Sequence, residues 1–174
     1  MIATLSLTLV LGIVVMLVTH AAACAAYLRD HPANALTDEQ ASAQVVDAVV
    51  DVVRTAGLRD PAGGYAFRSC KNADAPPYQV TVDMTFAVPQ GNSVGYLDDV
   101  ATAMVGLGWT DAKTPAEHFG RKMTKAGLIS VFHRNPERLD LATMRVSGEC
   151  RVVSEHRADD PVWTELTAQL RQGR

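Results

Sequence analysis

Between residues 79 and 88 apolar and polar positions alternate strictly. Val80, Val82, Met84, Phe86 and Val88 fall on one side, and Gln79, Thr81, Asp83, Thr85 and Ala87 on the other. A period of two with one apolar side predicts a strand of an antiparallel sheet covered on one face only. Upstream the period changes. Val45, Val49, Val52, Val53 and Ala56 recur at helical spacing. Thr37 caps this helix, with Gln40 placed to complete a capping box. Asp38 and Glu39 lie where the helix dipole favours negative charge, and Gly57 is the expected stop. Residues 60–64, with Asp60, Pro61, Gly63 and Gly64, read as a turn, and 65–70 as a short strand. A polar loop at 71–77 leads to the alternating strand.

A second helix is expected over 94–107, with Tyr96, Leu97, Val100, Met104 and Leu107 inward and Gly106 and Gly108 at its end. Residues 118–124 and 128–133 form a hairpin around Lys125, Ala126 and Gly127. The next turn spans 135–138, and the last strand spans 143–150, with Met144, Val146 and Cys150 on one face. A final helix is predicted to start at Asp160-Pro161, with Asp as cap and Pro as first helical residue, carrying Val162, Trp163, Leu166 and Leu170 on one side. The order helix, two strands, helix, three strands, helix gives an α+β class. The expected architecture is a two-layer sandwich of about five antiparallel strands with helices on one face.

The N-terminal segment follows neither period. Residues 2–19 carry no charge and are apolar on every face, which argues against a buried helix of a soluble domain. The run ends in His20-Ala21-Ala22-Ala23-Cys24. A small-residue triplet before cysteine after such a run is the mark of a bacterial export signal that is cleaved, the new N-terminal cysteine taking a diacylglycerol, palmitate-type anchor. As a helix, residues 2–28 would be about 40 Å long, enough to remain as a single membrane-spanning anchor instead. Both readings stand, the lipidated Cys24 preferred. Both place the rest of the chain on the extracytoplasmic face of the cell membrane. The domain plan is then 1–23 signal peptide or anchor, 24–35 a tether, and 36–174 a folded domain.

The chain has 174 residues, net charge −3, 48% apolar and 20% charged residues. Charges are mixed and form no basic stripe, so nucleic acid is not an expected partner. Three cysteines are present, and assigning Cys24 to the anchor leaves Cys70 and Cys150 as an even pair. An oxidising compartment lets such a pair persist as a structural disulfide. A redox role is not indicated, because there is no Cys-x-x-Cys.

Candidate chemistry is sparse. The most polar cluster holds Glu155, His156, Arg157, Asp159 and Asp160. His156, Glu155 and Asp159 are the side chains a divalent metal would use, but the spacing matches no zinc motif and only one histidine is involved. No metal and no cofactor are therefore expected. His118 and His133, on neighbouring expected strands, read as surface histidines, and His20 and His31 lie in the anchor and tether. No nucleophile elbow, phosphate-binding glycine loop or paired-carboxylate signature appears, so an enzyme is not expected.

Several short stretches together carry a resemblance: residues 36–41 (LTDEQA), Ser69-Cys70, Pro76-Pro77-Tyr78-Gln79, Gly108-Trp109 and Gly148-Glu149-Cys150-Arg151. In these the chain resembles the LppJ family of mycobacterial lipoproteins and its actinobacterial relatives, from about Cys24 to the final helix. The resemblance implies lipidation of Cys24 and matches Cys70 and Cys150. It also implies an acidic, histidine-containing stretch around His156, Asp159 and Asp160, and it carries no assigned activity. The expected function is a membrane-anchored binding or interaction module of the cell envelope, its partner a membrane protein complex. The alternative is a small-ligand or lipid carrier using a groove between sheet and helices.

Overall fold

The computed structural model describes residues 34–71, 74–112 and 120–172. A boundary between Ala35 and Leu36 separates two units, and the second, Leu36–Arg174, holds the fold. The apolar segment 1–23, Cys24, most of the tether, His20, His31 and His118 lie outside the described residues. Among the described residues no helix is long and apolar enough to cross a membrane.

Helix α1 (Asp38–Thr55) starts as its sequence dictates. The Gln40 amide donates to Thr37 Oγ1 (3.2 Å) while the Thr37 amide donates to Gln40 Oε1 (3.0 Å), closing the capping box. Its valine stripe is fully buried at Val49, Val52 and Val53. Strands β1 (Arg59–Ser69) and β2 (Tyr78–Ala87) follow, then α2 (Ser93–Gly106), β3 (Thr110–Asp111), β4 (Arg121–Lys125), β5 (Leu128–Arg134), β6 (Leu141–Ser147), β7 (Thr164–Glu165) and α3 (Thr167–Gln172). The strands form one sheet in the order β3-β4-β5-β6-β2-β1-β7, with every neighbouring pair antiparallel. The fold is α+β, as the periodicities predict.

The even-numbered residues of β2 point to the helices. Val80, Val82, Met84 and Phe86 meet Met144 and Val146 of β6, Phe132 of β5, and the valines of α1 in one continuous buried core. On α2, Leu97, Val100 and Met104 are inward, and Tyr96 packs its ring against Phe86. The opposite face of the sheet, presenting Thr81, Asp83, Thr85, Val131, His133, Thr143 and Arg145, follows from the odd positions of the same registers.

Four sequence expectations are corrected. Residues 60–64 are not a turn between elements: they belong to β1, which starts at Arg59 and carries a register shift between Arg59 and Ala62. Asp60 takes a positive φ there (49°), so the turn-like composition marks a bulge. Two glycines follow because the backbone is approached closely. A side chain on Gly64 would collide with the Thr164 carbonyl and the Trp163 indole. The final helix does not start at Asp160-Pro161. The backbone at Thr164–Glu165 pairs with Gly64 and Tyr65, and the Leu166 amide donates to Gly63 O (2.8 Å), so these groups serve the sheet. The helix begins only at Thr167; Leu166 and Leu170 are buried as expected, but Val162 and Trp163 are exposed. The last strand ends at Ser147 rather than at Cys150. Short edge strands β3 and β7 bring the described sheet to seven strands, where about five were expected.

The expected hairpin turn is present, with Ala126 (φ 45°) and Gly127 (φ 82°) joining Lys125 to Leu128. Both central residues are left-handed, as a two-residue turn matched to strand twist requires.

Candidate functional site

Two groups of side chains stand out, one on the sheet face that no helix covers among the described residues, the helix-free face, and one beneath the loop that follows β6.

The helix-free face is concave. A groove of about 610 Å³ lies over Ala62 and Gly63 of β1, Thr85 of β2, Val131 and His133 of β5, and Thr143 of β6. Asp83 and Arg145 also line it. The floor is open on the β1 side because only the short Ala62 side chain, opposite Thr85, and the bare backbone of Gly63 line it there. Val131 and its neighbour Ile129 are the exposed apolar side chains of β5. At one end Asp83 accepts from two guanidinium groups, Arg68 Nη2 (3.0 Å) from β1 and Arg145 Nε (2.6 Å) from β6. His133 Nε2 and Thr143 Oγ1 are 3.2 Å apart across the β5–β6 pair. Trp163 lies across Gly64 at the β7 edge of this face.

The expected groove between sheet and helices is not where the concavity lies. Val80, Val82, Phe86, Phe132 and Val146, the side chains that meet the helices, are fully buried. Sequence reading missed the helix-free groove because it took the polar half of the alternation for a solvated face and Gly63-Gly64 for a turn. The signal was present in the small residues of β1 opposite the polar side of β2.

The second group surrounds His156. Its ring is buried and stacked on Phe67, with centroids 3.7 Å apart and planes inclined by 2°. The Tyr78 ring meets it edge-on at 5.2 Å. Nδ1 pairs with Asp159 Oδ2 at 2.8 Å. Nε2 faces Asp38 Oδ1 at the start of α1, at 3.4 Å. That distance is long, and Nε2 makes no hydrogen bond. Ser154 Oγ donates to the same Asp38 oxygen (2.8 Å).

Glu155 turns the other way. It accepts from the Tyr78 hydroxyl (2.7 Å), which also lies 2.9 Å from the Asp74 carbonyl, and from the Arg157 amide (3.1 Å). These two donors hold the Glu155 carboxyl below the usual carboxylate range, the Tyr78 bond acting most strongly. Burial, and then the same bond seen from the other side, push the Tyr78 phenol above its usual value. The structure therefore brings His156 and Asp159 together but not Glu155. Among the described residues no three His, Cys, Asp or Glu side chains are grouped as the donors of a metal. Phe67, Tyr78 and Asp38 were invisible as partners of His156, because contacts across more than 70 residues leave no local pattern.

Beside this cluster Cys70 and Cys150 form a disulfide with Cα atoms 6.1 Å apart. It ties the end of β1 to the loop after β6. The same region is fastened by backbone bonds: the Tyr78 amide donates to Val152 O (2.7 Å), and the Leu36 amide to Arg151 O (3.0 Å).

A family model described as "Putative lipoprotein LppJ" matches residues 37–169. Chains of that description from Mycobacterium tuberculosis, strains CDC 1551 / Oshkosh and ATCC 25618 / H37Rv, are each 37% identical over 149 residues, 82% of this chain and 75% of theirs. The same values hold for the chain from Mycobacterium bovis strain ATCC BAA-935 / AF2122/97. No solved structure matches.

Proposed function

The chain belongs to the LppJ lipoprotein family, and from that premise we propose a lipid-anchored envelope module whose working surface is the helix-free face of its sheet. Cys24 carries the anchor, on the extracytoplasmic side of the cell membrane. The tether before Leu36 is about 12 residues, which reaches up to roughly 40 Å when extended. The domain can therefore turn this face toward either the bilayer or another envelope component.

The observation that carries the reading is the open groove. One side of the sheet is closed by helices and packed. The other holds a concavity with an apolar floor and a few polar groups, the usual composition of a binding site. In the polar cluster around His156 the ring itself is by contrast buried and stacked on Phe67.

Acylation of imidazole by diethyl pyrocarbonate tests the reading. His133 lines the groove, whereas buried His156 serves as the internal reference. In native membranes His133 is expected to be protected, and to become reactive in the purified full chain. Equal labelling of His133 in both preparations would contradict a surface that is occupied in the envelope.

A further inference from the structure

We propose that the groove on the helix-free face binds an amphipathic anion, a carboxylate or phosphate head on a hydrocarbon chain. This rests on the reading of that face as the binding surface and adds the chemistry of what it takes.

The argument starts from charge. Asp83 is the acceptor of both Arg68 and Arg145, so one carboxylate sits between two guanidinium groups. The trio keeps a net charge of about +1, because an arginine stays protonated at any physiological pH. The chain as a whole is at −3, so the sign here runs against the average of the molecule. Each guanidinium carries about five N–H donors in a planar fork. Arg68 reaches Asp83 through Nη2 and Arg145 through Nε. Arg145 is well exposed and lines the groove. A cationic head would be repelled at this end and a neutral one would leave the excess charge unmatched. A carboxylate or phosphate matches both the sign and the fork geometry.

The apolar part of the lining asks for hydrocarbon. Val131 stands directly opposite Arg145, Ala62 and Gly63 line the β1 side with the Met84 and Met144 positions beneath, and Thr85, Thr143 and His133 form the end away from Arg145. Ile129 continues the apolar strip along β5 at 44% exposure. A volume of about 610 Å³ falls inside the range of small-molecule sites, about 300–1,000 Å³. A charged head at Arg145 with its hydrocarbon along the neighbouring strip of Val131 and Ile129 describes a fatty acid or an anionic phospholipid equally well, and the test separates these two sources.

The full chain, held in nanodiscs of dioleoylphosphatidylcholine, reports through its tryptophans. Trp163 lies over Gly64, next to Gly63 of the groove floor, whereas Trp109 is buried in the core. The probes are dibromostearate added to the solution and brominated phosphatidylglycerol placed in the disc, with brominated phosphatidylcholine as control. Saturable quenching by dibromostearate alone identifies a free acid as the source. Quenching by brominated phosphatidylglycerol alone identifies a membrane lipid, and quenching by both identifies the shared head chemistry. In each case Arg145→Gln and Val131→Asp weaken the binding roughly tenfold or more. Both side chains lie on the surface, and melting curves equal to the parent confirm that the variants fold.

Three results overturn the proposal: no saturable quenching, equal quenching by the phosphatidylcholine control, or quenching unchanged in Arg145→Gln. If quenching fails while His133 is still protected in native membranes, the ligand chemistry falls and the binding face stands. If both fail, both readings fall.

Discussion

The imidazole of His156 lies flat on the phenyl ring of Phe67, 3.7 Å between centroids. The contact joins the loop after β6 to the first strand of the sheet, and Asp159 and Asp38 face the two ring nitrogens. A buried polar ring held this way fixes the loop against β1 and the start of α1. Replacing it with alanine removes the stack and leaves Asp159 without its partner. His156→Ala is expected to cost about 2–3 kcal/mol in guanidinium unfolding. His156→Phe, which keeps the stack, is expected to cost less. Equal losses in the two variants would mean that the stack contributes nothing.

The Tyr78–Glu155 bond predicts the shape of the pH–stability curve. Glu155 titrates below its ordinary value in the folded chain. Its contribution is therefore present above the unfolded value, about 4.3, and fades as pH falls through the folded one. Tyr78 titrates above its ordinary value. Its contribution is present below about 10 and fades as pH rises through the folded value. Tyr78→Phe should flatten both limbs and leave the neutral region sloping as before. Thermal melts between pH 3 and 11 on the parent and variant check this; unchanged limbs would contradict it.

The disulfide closes a loop with a sequence separation of 80. In the chain-entropy account a loop of that length is worth about 4–5 kcal/mol, with realised values nearer 2–4. The double variant Cys70→Ser/Cys150→Ser is expected to lose about 2–4 kcal/mol by chemical unfolding. A loss below about 0.5 kcal/mol would show that the backbone bonds of Tyr78 and Leu36 already hold the region unaided.

What the sequence made legible was local. The alternation of Val80, Val82, Met84 and Phe86 and the capping box at Thr37 and Gln40 are short-range patterns, and each appears as expected. The errors came where composition had two structural uses. Gly63 and Gly64 serve a strand crowded by Trp163 and Thr164 as well as they would serve a turn. Asp160-Pro161 has the chemistry of a helix start, but the backbone at Thr164 and Leu166 is taken by β1. The groove and the His156 cluster stayed hidden for another reason. Arg68, Asp83 and Arg145 come from three strands, and only the register of the sheet makes them neighbours.

Export and anchoring are the central proposal: they supply an oxidising compartment for the Cys70–Cys150 pair and a membrane tether for the domain. Mass spectrometry of the N-terminus of the native protein, taken from membranes, tests this most directly. The account predicts a chain beginning at Cys24 with a diacylglycerol on its sulfur. A chain still carrying residues 1–23 would contradict lipidation in favour of a retained membrane-spanning anchor, and a cleaved chain with an unmodified Cys24 thiol would contradict anchoring altogether.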